Sequence, residues 1–267
     1  MCRLTAAGIP PAEAARVAKR RAGDPAVKDA PRARGAAPRA KDARPPDVRQ
    51  ETRGLIRASM RLDSPVIEEC LAELVRRNGV VFTWEQVMVP ALRAVGRRWE
   101  LSEDRYVEVE HLLAWHVSST LRAVAASAAH AHRESAPALL SCLPGEQHTL
   151  PMEALDAALS ERGIPRRTLG GSVPADALLS AVRRIGPAAV VLWSQTHSTA
   201  HPRLARRVAS TQWGVRGARR GPIVLLAGPG WGRADECADL VRPHDLRHAL
   251  SITEQLVLTS AVSTEAR

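Results

Sequence analysis

The chain has 267 residues, enough for one large domain or two modest ones that each bury a core, and its 45% hydrophobic content is ordinary for a globular protein. Its net charge of +10 is uneven: residues 1–50 hold twelve Lys/Arg against five Asp/Glu, a net of +7, leaving +3 for the other 217 residues. No apolar run approaches membrane-spanning length, residues 1–20 lack a secretory leader's apolar stretch, and Cys2, Cys70, Cys142 and Cys237 form no C-x-x-C pair, which argues against a membrane protein, a disulfide scaffold and a zinc site and for a soluble cytoplasmic chain with reduced thiols.

Residues 1–20 predict a short helix, a turn at Gly8-Ile9-Pro10-Pro11 and a second helix from Ala12, too little chain to bury a core of its own. Residues 21–48 interleave Pro and Gly with Ala, Arg, Lys and Asp. That composition cannot repay the entropy of ordering, so the stretch reads as a disordered basic linker. Its charge would attract DNA phosphates without regard to sequence, and a simple solvated linker fits equally well. Residues 49–134 predict a four-helix bundle. Its helices fall at about 49–61, from Asp63-Ser64-Pro65 to a stop near Asn78-Gly79, at about 83–99 and at about 105–130. In the second of these, Val66, Ile67, Cys70, Leu71, Leu74 and Val75 recur at three-to-four spacing, the mark of an amphipathic helix.

From Pro137 the pattern changes. Within residues 136–262, short apolar runs at 138–143, 166–169, 188–193 and 222–227 alternate with helical stretches at 151–162, 174–185, 200–209 and 245–258. Such alternation predicts a parallel sheet with helices on both faces. The whole is therefore expected to be α + α/β: a four-helix bundle followed by a Rossmann-like, flavodoxin-like domain.

The first loop after a strand reads Pro144-Gly145-Glu146-Gln147-His148. In an open α/β sheet, ligands sit beyond the carboxyl ends of the strands, so His148 is placed to face the crevice. Its imidazole can ligate a metal, and Glu146 can hold the ring's other nitrogen. A loop histidine taken alone is more often a surface residue; the strand before it and the carboxylate two positions earlier raise the odds. The loop has no Gly-x-Gly-x-x-Gly, which disfavours a dinucleotide site. Two later loops, Trp193-Ser194-Gln195-Thr196 and Ala227-Gly228-Pro229-Gly230-Trp231, end the third and fourth strands; glycines there permit either close approach to a ligand or an ordinary turn. In the bundle, Trp99 ends one helix and Glu110-His111 follow after ten residues, inside the next. His111, Trp115, Ser118 and Ser119 share one face of that helix. Glu110 and His111 sit amid Val107, Val109, Leu112 and Leu113, where burial without a partner would be costly. The alternative is an exposed Glu110 and a capped or core His111.

Trp99…Glu110-His111 on helices, then Glu146-x-His148 after a strand, together resemble the cobalamin-binding half of light-responsive MerR-family transcriptional regulators of the CarH/LitR type, over roughly residues 50–260. The resemblance implies a helical cap in which Trp99, Glu110 and His111 cover the upper face of adenosylcobalamin, with His148 ligating cobalt from below and Glu146 supporting it. It also implies that Ser194, Thr196, Gly228 and Gly230 line the pocket for the nucleotide tail. Residues 1–20 then resemble the distal end of a MerR-type DNA-binding domain, so that Met1 would fall inside a domain. The implied protein is a sensor, not an enzyme: a homo-oligomer that meets DNA through its N-terminal domain. This chain departs from the family in having ten rather than nine residues between Trp and Glu-His, and Glu100 where some members carry histidine. A second class, a corrinoid carrier presenting methylcobalamin to methyltransferases, would continue Asp-Ile-Gly-Lys-Asn after the histidine, and this chain does not. A third is a degenerate module that only mediates oligomerisation.

Overall fold

The computed structural model describes residues 48–100, 106–127, 135–213, 220–232 and 237–265. The predicted DNA-binding remnant (1–20) and all but the last residue of the predicted linker (21–48) lie outside them.

Four helices make the bundle: α1 (Val48–Met60), α2 (Ser64–Thr83), α3 (Val89–Glu100) and α4 (Val107–Ser127), with a five-residue π-helical turn, Trp84–Met88, leading into α3. Pro65 sits in the first turn of α2, where its missing N–H is no loss. The stop expected near Asn78-Gly79 is a break inside α2: Gly79 leaves helical geometry at φ 77° and the helix resumes at Val80. Two bonds stabilise this restart. The Val80 N–H donates to Glu161 at 3.1 Å, and the Thr83 hydroxyl donates across the break to the Leu74 carbonyl at 3.1 Å. Leu55, Ile67, Leu71, Met88, Leu113 and Leu121 are fully buried at the bundle's centre.

The second half contains four parallel strands, β1 (Ala138–Cys142), β2 (Arg166–Thr168), β3 (Ala189–Trp193) and β4 (Ile223–Ala227), in the order β2-β1-β3-β4. Helices α5 (Leu150–Glu161), α6 (Ala175–Ile185), α7 (Pro202–Ala209) and α8 (Leu246–Glu265) complete it. Alternation along each strand splits the core. Leu140, Cys142, Val191 and Leu225 join a core shared with the bundle, α5 and α8. Leu139, Val190, Leu192 and Val224 pack instead with α6 and α7. The predicted fold class is the one observed, with strand limits within one residue of those expected at every end.

This strand order reverses between β1 and β3, which makes the carboxyl ends of those two strands the topological switch point where open α/β sheets bind ligands. The loops that leave Cys142 and Trp193 therefore frame the crevice. Among the described residues, no helix is long and apolar enough to cross a membrane.

Candidate functional site

The loop after β1 is held from both sides. Glu146, 1% exposed, is the hub. Its Oε1 accepts from the His148 backbone N–H at 2.9 Å and pairs with His148 Nδ1 at 2.6 Å. Its Oε2 accepts from the Gln195 N–H at 2.7 Å and the Thr199 hydroxyl at 2.6 Å, both in the loop after β3. Burial alone would raise this carboxyl. The bonds from Thr199, the His148 and Gln195 amides and the His148 ring outweigh it and bring the pKa to about 2. An ionised Glu146 is an acceptor only, so Nδ1 carries a proton, and in the neutral imidazole the lone pair is then on Nε2. The ring is 64% exposed. His148 thus offers one outward-facing donor atom in a fixed tautomer, the arrangement that suits a metal ligand.

That imidazole lines a cavity of about 1150 Å³ between the bundle and the carboxyl edge of the sheet. Pockets for drug-sized ligands span roughly 300–1,000 Å³, so this one lies just above that range. The bundle supplies Trp84, Leu92, Arg93, Glu110, His111 and Trp115 to one wall; the other takes Gln147, His148, Trp193, Gln195, Gly228 and Pro229. Glu110 is half-buried and His111 exposed, both on the cavity wall. The bundle's buried histidine is instead His116, whose Nε2 lies 2.9 Å from the Ser64 hydroxyl. Trp99 belongs to the last turn of α3, and its side chain falls outside the described residues.

The other expected site residues sit beside the cavity. Ser194 is fully buried; its hydroxyl donates to the Thr196 carbonyl at 2.9 Å and lies 2.9 Å from the Thr199 hydroxyl. The Gly230 N–H donates to the Ser194 carbonyl at 3.0 Å. Gly228 adopts φ +102°, and a Cβ there would collide with the Ser194 carbonyl oxygen; one at Gly230 would collide with the Ser194 hydroxyl and the Thr196 carbonyl. Both glycines are thus needed for the close packing of the two loops, and of the four residues Gly228 alone reaches the cavity wall.

Three features were not foreseen. Thr199 is a direct partner of Glu146, 53 positions away in sequence, and Ser194 acts behind it. Trp115 is 70% exposed on the cavity wall although it stands in an apolar helix. The Trp193 indole N–H is buried without a hydrogen-bond partner.

Residues 52–124 match the family model of the B12 binding domain. The match indicates a cofactor of the cobalamin type. The chain is also 31% identical over 151 residues to the HTH-type transcriptional repressor CarH of Myxococcus xanthus, an alignment covering 55% of this chain and 48% of that protein. The chain thus spans about half the length of the curated relative it matches. In fold it is similar to the monomethylamine corrinoid protein of Methanosarcina barkeri, with a TM-score of 0.59 at 12% identity, covering 78% of this chain and 99% of that one. A cobalamin-binding protein from Desulfitobacterium hafniense DCB-2 aligns more loosely, with a TM-score of 0.38 at 14% identity over 79% and 98% of the two chains.

The residues present fit a cobalamin. A single imidazole lone pair suits a metal that arrives with its other donors in a macrocycle, and the cavity is large.

Proposed function

We propose that this chain is a cobalamin-binding sensor module of a MerR-family transcriptional regulator, with adenosylcobalamin as its ligand and light as its signal. The observation that carries the ligand assignment is His148, its Nδ1 held 2.6 Å from an ionised Glu146 and its Nε2 left for the cavity. His148 would ligate cobalt from the sheet side. Trp99, Glu110 and His111 would cover the upper face from the bundle, and Ser194, Thr196, Gly228 and Gly230 would border the path of the nucleotide tail. Bound adenosylcobalamin supplies a light-labile cobalt–carbon bond. The protein's part is to hold the cobalt at one imidazole and to shield the opposite face with the bundle. Ligand state would then bias how bundle and sheet domain pack, hence oligomer state and DNA affinity, because the two arrangements bind the ligand unequally. DNA contact would be made by an N-terminal helix-turn-helix domain of the kind for which the repressor CarH is named, in a cytoplasmic homo-oligomer with no catalytic activity.

Two observations favour this over the carrier reading: the similarity to a transcriptional repressor, and Thr149-Leu150-Pro151 where a methyl carrier would continue Asp-Ile-Gly. The deciding experiment loads the full chain with adenosylcobalamin and records visible spectra in the dark and after illumination. A histidine-ligated spectrum that changes with light, with no methyl transfer to added acceptors, is the expected result. Absence of bound cobalamin would leave only an oligomerisation role.

A further inference from the structure

A second carboxylate lies just past the histidine. Glu153, in the first turns of α5, is 7% exposed. Its Oε1 accepts from the Thr149 hydroxyl at 2.9 Å and from Arg122 Nη2 at 2.8 Å; its Oε2 accepts from the Ser118 hydroxyl at 2.5 Å. Ser118 in turn accepts from Arg122 Nε at 3.2 Å, which closes the network. Thr149 is the neighbour of His148, whereas Ser118 and Arg122 belong to α4. One buried carboxylate therefore grips both the histidine loop and the helix that carries Glu110, His111 and Trp115 on the opposite wall.

The grip is unequal. Arg122 is 70% exposed and can swing into water, but Glu153 cannot follow without abandoning Thr149. Burial tends to raise this carboxyl, and the bonds from Arg122, Ser118 and Thr149 outweigh it and hold it low, so it is ionised and needs all three partners. A shift of α4 must either break these bonds or draw Thr149 along. Farther down the same seam, the Ser160 hydroxyl and Arg166 Nη2 donate to the Ala125 carbonyl at 3.0 and 2.7 Å. Those bonds tie α4 to α5 and to β2 without touching the loop. On this side the backbone also ties the loop to α5, the Thr149 carbonyl accepting from the Met152 and Glu153 N–H groups at 2.9 and 3.0 Å, whereas the Cys142 thiol reaches the His148 carbonyl only at 3.9 Å, a weak contact.

We infer that Glu153 is a positioning residue that couples the bundle to His148, so that whatever occupies the bundle-side wall alters the grip of the imidazole on its metal. The inference rests on cobalt ligation by His148 and adds to it a route by which the two faces of the ligand communicate. It acts through a two-ended hydrogen-bond network rather than through general packing.

The test uses the full chain loaded with cobalamin in the cobalt(II) state. Electron paramagnetic resonance reads the fraction of bound cobalt that shows coupling to a histidine nitrogen, verified with ¹⁵N-histidine. Glu153→Gln should lower that fraction about threefold to tenfold, at or below the lower end of what outer-shell losses cost a metal site. Arg122→Ala, which keeps the carboxylate and alters an exposed side chain, should move it the same way by less. Ser160→Ala, on the seam but away from the loop, should leave it unchanged. An unchanged fraction in both Glu153→Gln and Arg122→Ala overturns the inference, as does an equal fall in Ser160→Ala, which would reduce Glu153 to packing. If Glu153→Gln does not fold, Arg122→Ala against Ser160→Ala decides alone. A wild-type protein that binds cobalamin with no histidine coupling defeats the ligation reading itself and is told apart by that result.

Discussion

The two walls of the cavity are built on opposite plans. On the sheet side, Glu146 collects four hydrogen bonds from His148, Gln195 and Thr199, and the histidine has one tautomer and one orientation. On the bundle side, the side chains of Glu110, His111 and Trp115 make no hydrogen bond among the described residues, and two of the three are exposed. A pre-organised wall holds a ligand without further ordering cost, whereas exposed side chains must be ordered when a ligand meets them. Under the proposed function the sheet would anchor the ligand and the bundle would read its state, and each half of that division can be attacked separately.

The largest effect should come from the anchor. His148→Ala removes the imidazole that the loop after β1 brings to the cavity, so the histidine-ligated spectrum should vanish and affinity fall by more than about 100-fold, beyond what loss of an outer-shell partner alone costs. The ring is mostly exposed, so the thermal unfolding of the ligand-free chain should be close to that of the wild type. An unchanged spectrum would end the assignment of His148 and with it the contrast between the walls. Glu146→Gln comes next. A glutamine can keep some contacts, but it no longer fixes the Nδ1–H tautomer by charge, and the affinity should fall by about 10–100-fold as measured by titration.

Much of the anchor was legible in the sequence because its decisive residues are neighbours. Glu146 and His148 stand two positions apart at the end of an apolar strand, and the strand's own pattern says where the loop must point. Thr199 was not legible: it meets Glu146 only because strand order brings the loop after β3 beside the loop after β1, and nothing local marks that threonine among Ser194, Thr196 and Ser198. Glu153 failed for the same reason, since its partners Ser118 and Arg122 lie on another helix 31 to 35 positions away. On the bundle side the obstacle was ambiguity. Helical periodicity puts Trp115 on the face of His111, Ser118 and Ser119 but does not say whether that face is covered, and its exposure follows from the cavity that the sheet domain opens beside α4. The helix break at Gly79 was readable as a helix stop. The π-turn was not, because Thr83, Trp84 and Val87 keep a core-like spacing through it.

A smaller effect should appear at the join between the walls. The folded-state pKa of Glu153 lies below its unfolded value, so the unfolded chain binds this proton more readily. The stabilisation from ionised Glu153 is therefore fully present above the unfolded carboxyl range, near about 4.3, and is lost as the pH falls through the lower folded value. Chemical denaturation of the ligand-free chain between about pH 7 and pH 3 should show a steeper acid decline in the wild type than in Glu153→Gln. Parallel curves would mean that the Arg122 and Ser118 bonds contribute nothing to holding the walls together.

The smallest effect, and the one that tests the bundle's share directly, concerns tryptophan. If the bundle wall reads the upper ligand, then Trp115→Ala should weaken adenosylcobalamin binding by about 1 kcal/mol, roughly fivefold, the scale of one aromatic contact beyond simple area burial. Hydroxocobalamin, which has no large upper group to meet the ring, should bind wild type and variant alike, and the spectrum from His148 should be the same in both. Trp99→Ala should show the same selectivity loss, since the family resemblance places it over the same face. The measurement is a set of titrations with the adenosyl, methyl and hydroxo forms. Equal affinities across all three forms in wild type and variants would show that the bundle does not touch the upper ligand. A loss shared equally by all three forms would make Trp115 part of the anchor after all, and the division between the walls would have to be redrawn along α4.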